Sequence, residues 1–230
     1  MAKPIFNPHD VPPFMGFPKE ALTFLSGLKK HNNKVWFDKH KEEYENFVKA
    51  PMQEFIAAMA LEFHQWAPDA IADPKRSMFR IYRDIRFSKD KTPYKTHVAA
   101  WFPLKQLKLS GGFYVHVSGE EMMLGGGIWQ PPSEYIRPMR AKIAEQHVAF
   151  RKIVEDKGVK AMFGGLEMDD MLKKVPAGYP ADHPAAEYLK LKSYLLGASK
   201  PATFATKKDF LPFVVKAYKT MLPFVRFLNL

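Results

Sequence analysis

Between Arg80 and His97 the chain reads Arg-Ile-Tyr-Arg-Asp-Ile-Arg-Phe-Ser-Lys-Asp-Lys-Thr-Pro-Tyr-Lys-Thr-His, its densest grouping of chemically competent side chains. Arg80, Arg83 and Arg86 offer planar guanidinium forks suited to a phosphate or carboxylate, and Lys89, Lys91 and Lys95 add point charges. Ser88 and Tyr94 supply hydroxyls, and Asn32, at a break between two helical patterns, can reach the same ligand if its turn lies beside this segment. The combination points to a pocket for a phosphorylated or carboxylated small molecule. If a reaction follows binding, Asp84 or His97 is the candidate base, with Arg83, Arg86 and Lys91 stabilising developing negative charge. The residue types leave open whether any reaction occurs.

Two other readings fit the same residues. Basic charge with Tyr82 and Tyr94 exposed would suit a nucleic-acid-binding module, phosphates meeting cations and bases meeting rings. Alternatively the cluster is an ion-pair lattice in a structural or protein-interaction domain, because an arginine on an apolar strand face needs a carboxylate or several acceptors. Charge distribution favours a local site. The 230-residue chain has 35 basic and 24 acidic side chains, a net +11. Residues 75–108 hold ten of the basic side chains, Lys105 and Lys108 among them, against Asp84 and Asp90, and residues 200–230 hold six against one. The remainder is close to neutral.

Other chemistries lack their residues. With no cysteine in the chain there is no disulfide, thiolate metal site or cysteine nucleophile. Eight histidines are scattered without a His-Glu-x-x-His or similar spacing, so no metal site is expected. His97 and His116 fall in neighbouring predicted strands and can converge. Gly125-Gly126-Gly127 lacks the spacing of a phosphate or dinucleotide loop and reads as a bulge or as room for Trp129, so no cofactor is expected. Gly-x-Ser-x-Gly is absent. No apolar run approaches a membrane span, and the N-terminus lacks an apolar leader, which makes the cytoplasm the default compartment. The C-terminal basic, aromatic helix is expected to pack on the sheet.

These side chains need a scaffold, and periodicity supplies one. Residues 1–17, with Pro4, Pro8, Pro12 and Pro13, are expected to run extended over the surface. Helical spacing follows from Pro18 to Leu28, then from an Asn33 cap through Trp36 to Val48, then from Pro51 to Trp66. Strands are expected at Phe79–Phe87, Thr96–Phe102, Phe113–Val117 and Met122–Trp129, with short turns that favour antiparallel pairing. A long helix from Pro131 to a Gly158 cap, a helix over His183–Lys192 and a last helix capped by Thr206 complete the pattern. The expected fold is a single α+β domain over residues 1–230, an antiparallel sheet of about four central strands flanked by N-terminal and C-terminal helices.

Irregular motifs along most of the chain carry a resemblance. They are Asn32-Asn33-Lys34-Val35-Trp36-Phe37 with Tyr44, the run from Arg83 to His97, Gly125 to Pro131, Arg137, Pro176-Ala177-Gly178-Tyr179, His183-Pro184, Lys190-Leu191-Lys192 and Pro223-Phe224. In these the chain resembles the bacterial and fungal family known as domain of unknown function 2461. The family's Lys/Pro-Gly-Tyr element stands here with Ala177 inserted. The resemblance implies a shared fold and assigns no activity or catalytic residue.

Overall fold

Apolar residues three and four apart in the N-terminal third wind into helices. A computed structural model describes residues 12–104 and 111–229 of the chain. Residues 1–11 of the expected extended segment, with Lys105 and Lys108, lie outside the described residues. Residues 12–17 carry no helix or strand, yet Phe14 and Phe17 are buried. Helix α1 (Lys19–Lys30) follows, then α2 (Lys34–Lys39), capped by the Asn33 side chain accepting from the Trp36 N–H. α3 (Lys41–Glu43) passes through a π turn (Tyr44–Lys49) into α4 (Ala50–Trp66). Pro51 was expected to end one helix and open another. Instead the wider π turn precedes it and the helix continues, because the altered register tolerates a residue without an N–H.

The sheet is antiparallel, in the order β1 (His97–Pro103), β2 (Gly112–Ser118), β3 (Glu121–Ile128), β4 (Tyr194–Pro201). Helices precede and follow it, so the α+β architecture stands. Its strand list differs from expectation at both ends. Phe79–Phe87 forms no strand and is held only by isolated bridges, Met78 to Ala100 and Tyr82 to Tyr94. Side chains take over backbone groups there: the Asp84 and Asp90 carboxylates accept from the Arg86 and Thr92 amides, Lys91 and Lys95 donate to the Ile85 and Arg80 carbonyls, and Pro93 has no N–H. β4 escaped notice because Tyr-Leu-Leu-Gly-Ala-Ser-Lys-Pro neither alternates nor carries a β-branched residue.

Three helix boundaries also move. The long helix expected after Pro131 is α5 (Ser133–Glu145), α6 (His147–Val154) and α7 (Lys157–Phe163). Gly158 is not a C-terminal cap. The Asp156 carboxylate accepts from the Gly158 and Val159 amides and starts α7, which ends at left-handed Gly164. Only Ala186–Leu189 of the expected 183–192 helix forms (α8), because the His183 ring accepts from the Ala185 N–H and makes a turn. Thr206 hydrogen-bonds the Thr203 carbonyl instead of capping α9 (Phe210–Leu228).

The chain divides into two compact units. The first comprises the described part of Met1–Phe102 with Tyr114–Leu124 and Ser199–Lys216. Its core is aromatic: Phe14, Phe17, Phe55 and Phe210 form one cluster of edge-to-face and tilted rings, and Phe102 of β1 meets Phe55 and Phe63 of α4. Each such ring contributes roughly 1.5–3 kcal/mol by burial. The second comprises the described parts of Pro103–Phe113 and Ala217–Leu230 with Gly125–Ala198. There the glycine triplet admits close neighbours. A Cβ on Gly126 would strike Met221 of α9, and one on Gly127, at φ +133°, would overlap the Tyr194 carbonyl. The triplet is a packing device, and Trp129 beyond it is exposed. Gly127→Ala should therefore cost ~3 kcal/mol or more, read as a lowered midpoint in chemical denaturation, whereas Ala at Gly164, which has open space around it, should cost about 1 kcal/mol.

Candidate functional site

The basic segment between α4 and β1 is an arm, residues 77–96, whose cations are mostly engaged with the arm itself. The Arg83 Nη1 donates to both the Asp90 carboxylate and the Thr92 hydroxyl, and Nη2 donates to the Ser88 hydroxyl at 3.4 Å. Arg86 grips Asp84 through Nε at 3.0 Å and Nη2 at 2.7 Å. Lys91 donates to the Ile85 carbonyl and Lys95 to the Arg80 carbonyl, each at 2.9 Å. The Arg80 guanidinium and the Lys89 ammonium are exposed and make no hydrogen bond or ion pair among the described residues. These pairings hold both carboxyls below the usual range. Asp84 is lowered mainly by Arg86, and Asp90, at about 2, by the Thr92 amide and then by Arg83. A carboxylate so stabilised is a poor proton acceptor at neutral pH.

Asn32 and Tyr94 anchor the arm. The Asn32 side chain donates to the Tyr94 carbonyl at 2.9 Å and accepts from the Tyr94 N–H at 3.0 Å, pairing as an adjacent strand would. The Tyr94 ring is buried, stacked on Phe37 at 4.2 Å. Asn32 is therefore committed to structure through its side-chain amide, and Tyr94 through its backbone and its stacked ring. Exposed Tyr82 lies 5.4 Å from the Tyr94 ring, and Phe87 at the arm's tip is 96% exposed.

Three residues beyond Tyr94 the arm enters β1, where strand alternation sorts its side chains. Val98, Ala100 and Phe102 are buried on one face, while His97 lies half-buried on the opposite face beside buried Ala99. β2 repeats the pattern, burying Phe113, Val115 and Val117 and leaving Tyr114 and His116 on that same half-exposed face. The two imidazoles meet there, ring centroids 5.0 Å apart. His116 Nδ1 is hydrogen-bonded to the Tyr114 hydroxyl at 3.2 Å, and its Nε2 lies 3.8 Å from the Glu121 carboxylate. Phe79 of the arm covers Tyr114 at 6.2 Å and carries the Lys95 ammonium 5.1 Å above its ring. No hydrogen bond reaches the His97 ring among the described residues.

Burial sets the electrostatics of this cluster. His97 is pushed down to about 4, first by desolvation and then by His116 and Lys95. His116 is also lowered by burial, with Glu121 opposing. Lys95 is lowered by burial and by Arg80. Both imidazoles are thus uncharged at neutral pH and offer ring nitrogens as hydrogen-bond acceptors, beside a cation. Of the residues expected from sequence, His97 and Lys95 come together with Arg80 close by. Asp84, Arg86 and Ser88 belong to the arm's internal bonding. Sequence reasoning did not single out Tyr114, although period-two alternation through Tyr114, His116 and Ser118 carries that signal, nor Glu121, which opens β3 beyond a turn. No group of three metal-ligating side chains occurs among the described residues.

Two measurements probe this arrangement. Asn32→Ala removes two hydrogen bonds and should cost about 1–3 kcal/mol, with faster hydrogen exchange at the Tyr94 amide. For His97 the pKa is 6.5 in the unfolded chain and about 4 in the fold, so the unfolded state binds more protons between those values. Stability should fall as pH drops from 6.5 to about 4, and His97→Gln should flatten that slope in urea titrations.

No curated protein and no solved structure matches the chain. A family model described as conserved hypothetical protein (DUF2461) matches residues 20–227, a span that includes the arm, the paired histidines and all four strands. With nearly the whole fold inside that match, the chain belongs to the DUF2461 family of conserved hypothetical proteins.

Proposed function

We propose that the protein binds a small anionic molecule, phosphorylated or carboxylated, on the half-exposed face of β1 and β2 where the arm meets the sheet. The observation that carries this reading is the juxtaposition of His97 and His116, 5.0 Å apart and uncharged, with the Lys95 ammonium seated over Phe79. Lys95, with Arg80 close enough to depress its pKa, supplies positive potential. Phe79 and Tyr114 supply apolar contact for the rest of a ligand. His97 accepts a proton or hydrogen bond from it, and His116, tethered to Tyr114 and Glu121, holds the facing position. In this reading the arm's own arginines are bracing: Arg83 and Arg86 keep the loop in shape through Asp90 and Asp84.

Sulfate, which does not titrate between pH 4 and 8, is a suitable probe. An anion beside His97 favours the imidazolium, so binding takes up a proton and affinity rises as pH falls from about 7 toward about 4. The expected result is a sulfate-dependent rise in Tm, over matched chloride, with a part that grows with acidity and is lost in His97→Gln and Lys95→Ala. Equal responses in the wild type and both variants would overturn the reading. So would a response only to an oligonucleotide, retained in His97→Gln and lost in Phe87→Ala, which would transfer the function to the arm.

A further inference from the structure

Helix α5 carries the other unusual charge. Arg140 is 9% exposed, alone with Ser77 as a buried polar or charged residue among those described. Its guanidinium donates through Nη2 to the Leu191 carbonyl at 2.8 Å and lies close enough to the Tyr194 hydroxyl to act on its pKa. Its Nε has no partner, and no carboxylate forms an ion pair with it among the described residues. The Tyr194 hydroxyl cannot supply the missing charge. It donates to the Tyr188 carbonyl at 2.9 Å, and burial pushes it up to about 12, so it stays neutral. Carboxylates flanking the Leu191 segment are already taken, Glu187 by Lys190 and Asp170 by Lys192, each at 2.6 Å.

Arginine does not lose its proton in a protein, and an uncompensated buried charge is among the costliest features a fold can hold. A purely structural role as a carbonyl donor needs no permanent charge at all. Arg137, one turn earlier on α5 and so on a neighbouring face position, is exposed, with no hydrogen bond or ion pair among the described residues. The two guanidiniums would rank from surface to interior along one helix.

We infer that Arg140, with Arg137 one turn before it, is the receptor for the phosphate, sulfate or carboxylate group of a small molecule. The fork suits bidentate contact with tetrahedral or planar oxyanions. The site lies in the second unit and stands independently of the histidine face.

The test again uses sulfate against matched chloride, at pH 6 and pH 8. Wild-type Tm should rise by about 3–6 °C at ten times Kd, with a component that is the same at both pH values because arginine does not titrate. That component should survive in His97→Gln and vanish in Arg140→Met, whose unbranched apolar chain fits the same space without the charge. Should Arg140→Met fail to fold, Arg140→Lys keeps a charge and a donor for Leu191 but loses the fork, and Arg137→Ala alters only the surface. Each should weaken sulfate binding by about tenfold. Wild-type-like responses in Arg140→Lys and Arg137→Ala, or no wild-type response beyond chloride, would overturn the inference.

Discussion

An arginine removed from water must be given acceptors, because it cannot become neutral. Arg83 shows what that constraint builds. Its side chain is 26% exposed, and around it the chain gathers the Asp90 carboxylate and the hydroxyls of Thr92 and Ser88. Those bonds draw residues 83–92 into a closed loop in which backbone pairing would have had to compete. Asn32 then fixes the loop's return strand by pairing with the Tyr94 backbone. From Tyr94 the chain reaches His97 in three residues, so the entry angle of β1 follows from the arm's bracing.

That geometry explains why charge and chemistry separate along the segment. The arginines nearest the tip balance the aspartates nearest the tip, and their joint contribution to the local potential is small. Lys95, at the root, has its ammonium on a backbone carbonyl and an aromatic ring, with no carboxylate in an ion pair among the described residues. Its charge therefore projects toward His97, and this appears as one cause of the low imidazole pKa. A cation and two neutral bases on one half-exposed sheet face make a coherent setting for an anion. The tip, with Phe87 wholly exposed, is built from different physics.

In the second unit the same constraint meets the opposite outcome. The glycine triplet of β3 lets the β4 backbone and α9 approach where any side chain would collide. In that unit Arg140 is buried, and among the described residues its one hydrogen bond goes to the neutral Leu191 carbonyl. An apolar side chain of similar volume is often a neutral or stabilising substitute for such a charge, and on that contrast rests the inference that Arg140 receives an anion.

Much of this was legible in the sequence. Asn33 as a cap, three of the four strands, the helices on either side of the sheet and the concentration of charge in 75–108 follow from local rules: capping chemistry, period-two burial and residue counting. The need of Arg83 for a carboxylate also followed, from the cost of desolvating a guanidinium. Tertiary structure decided the rest. Whether Arg86 meets Asp84 or a ligand, whether Tyr94 is exposed or stacked on Phe37, and whether His97 finds His116 depend on distances between residues far apart in sequence or across a turn. A strand at Phe79–Phe87 satisfied the local alternation and lost to side-chain bonds that no periodicity encodes. Arg140 looked like any helical arginine, because burial depends on which helix face the rest of the chain covers.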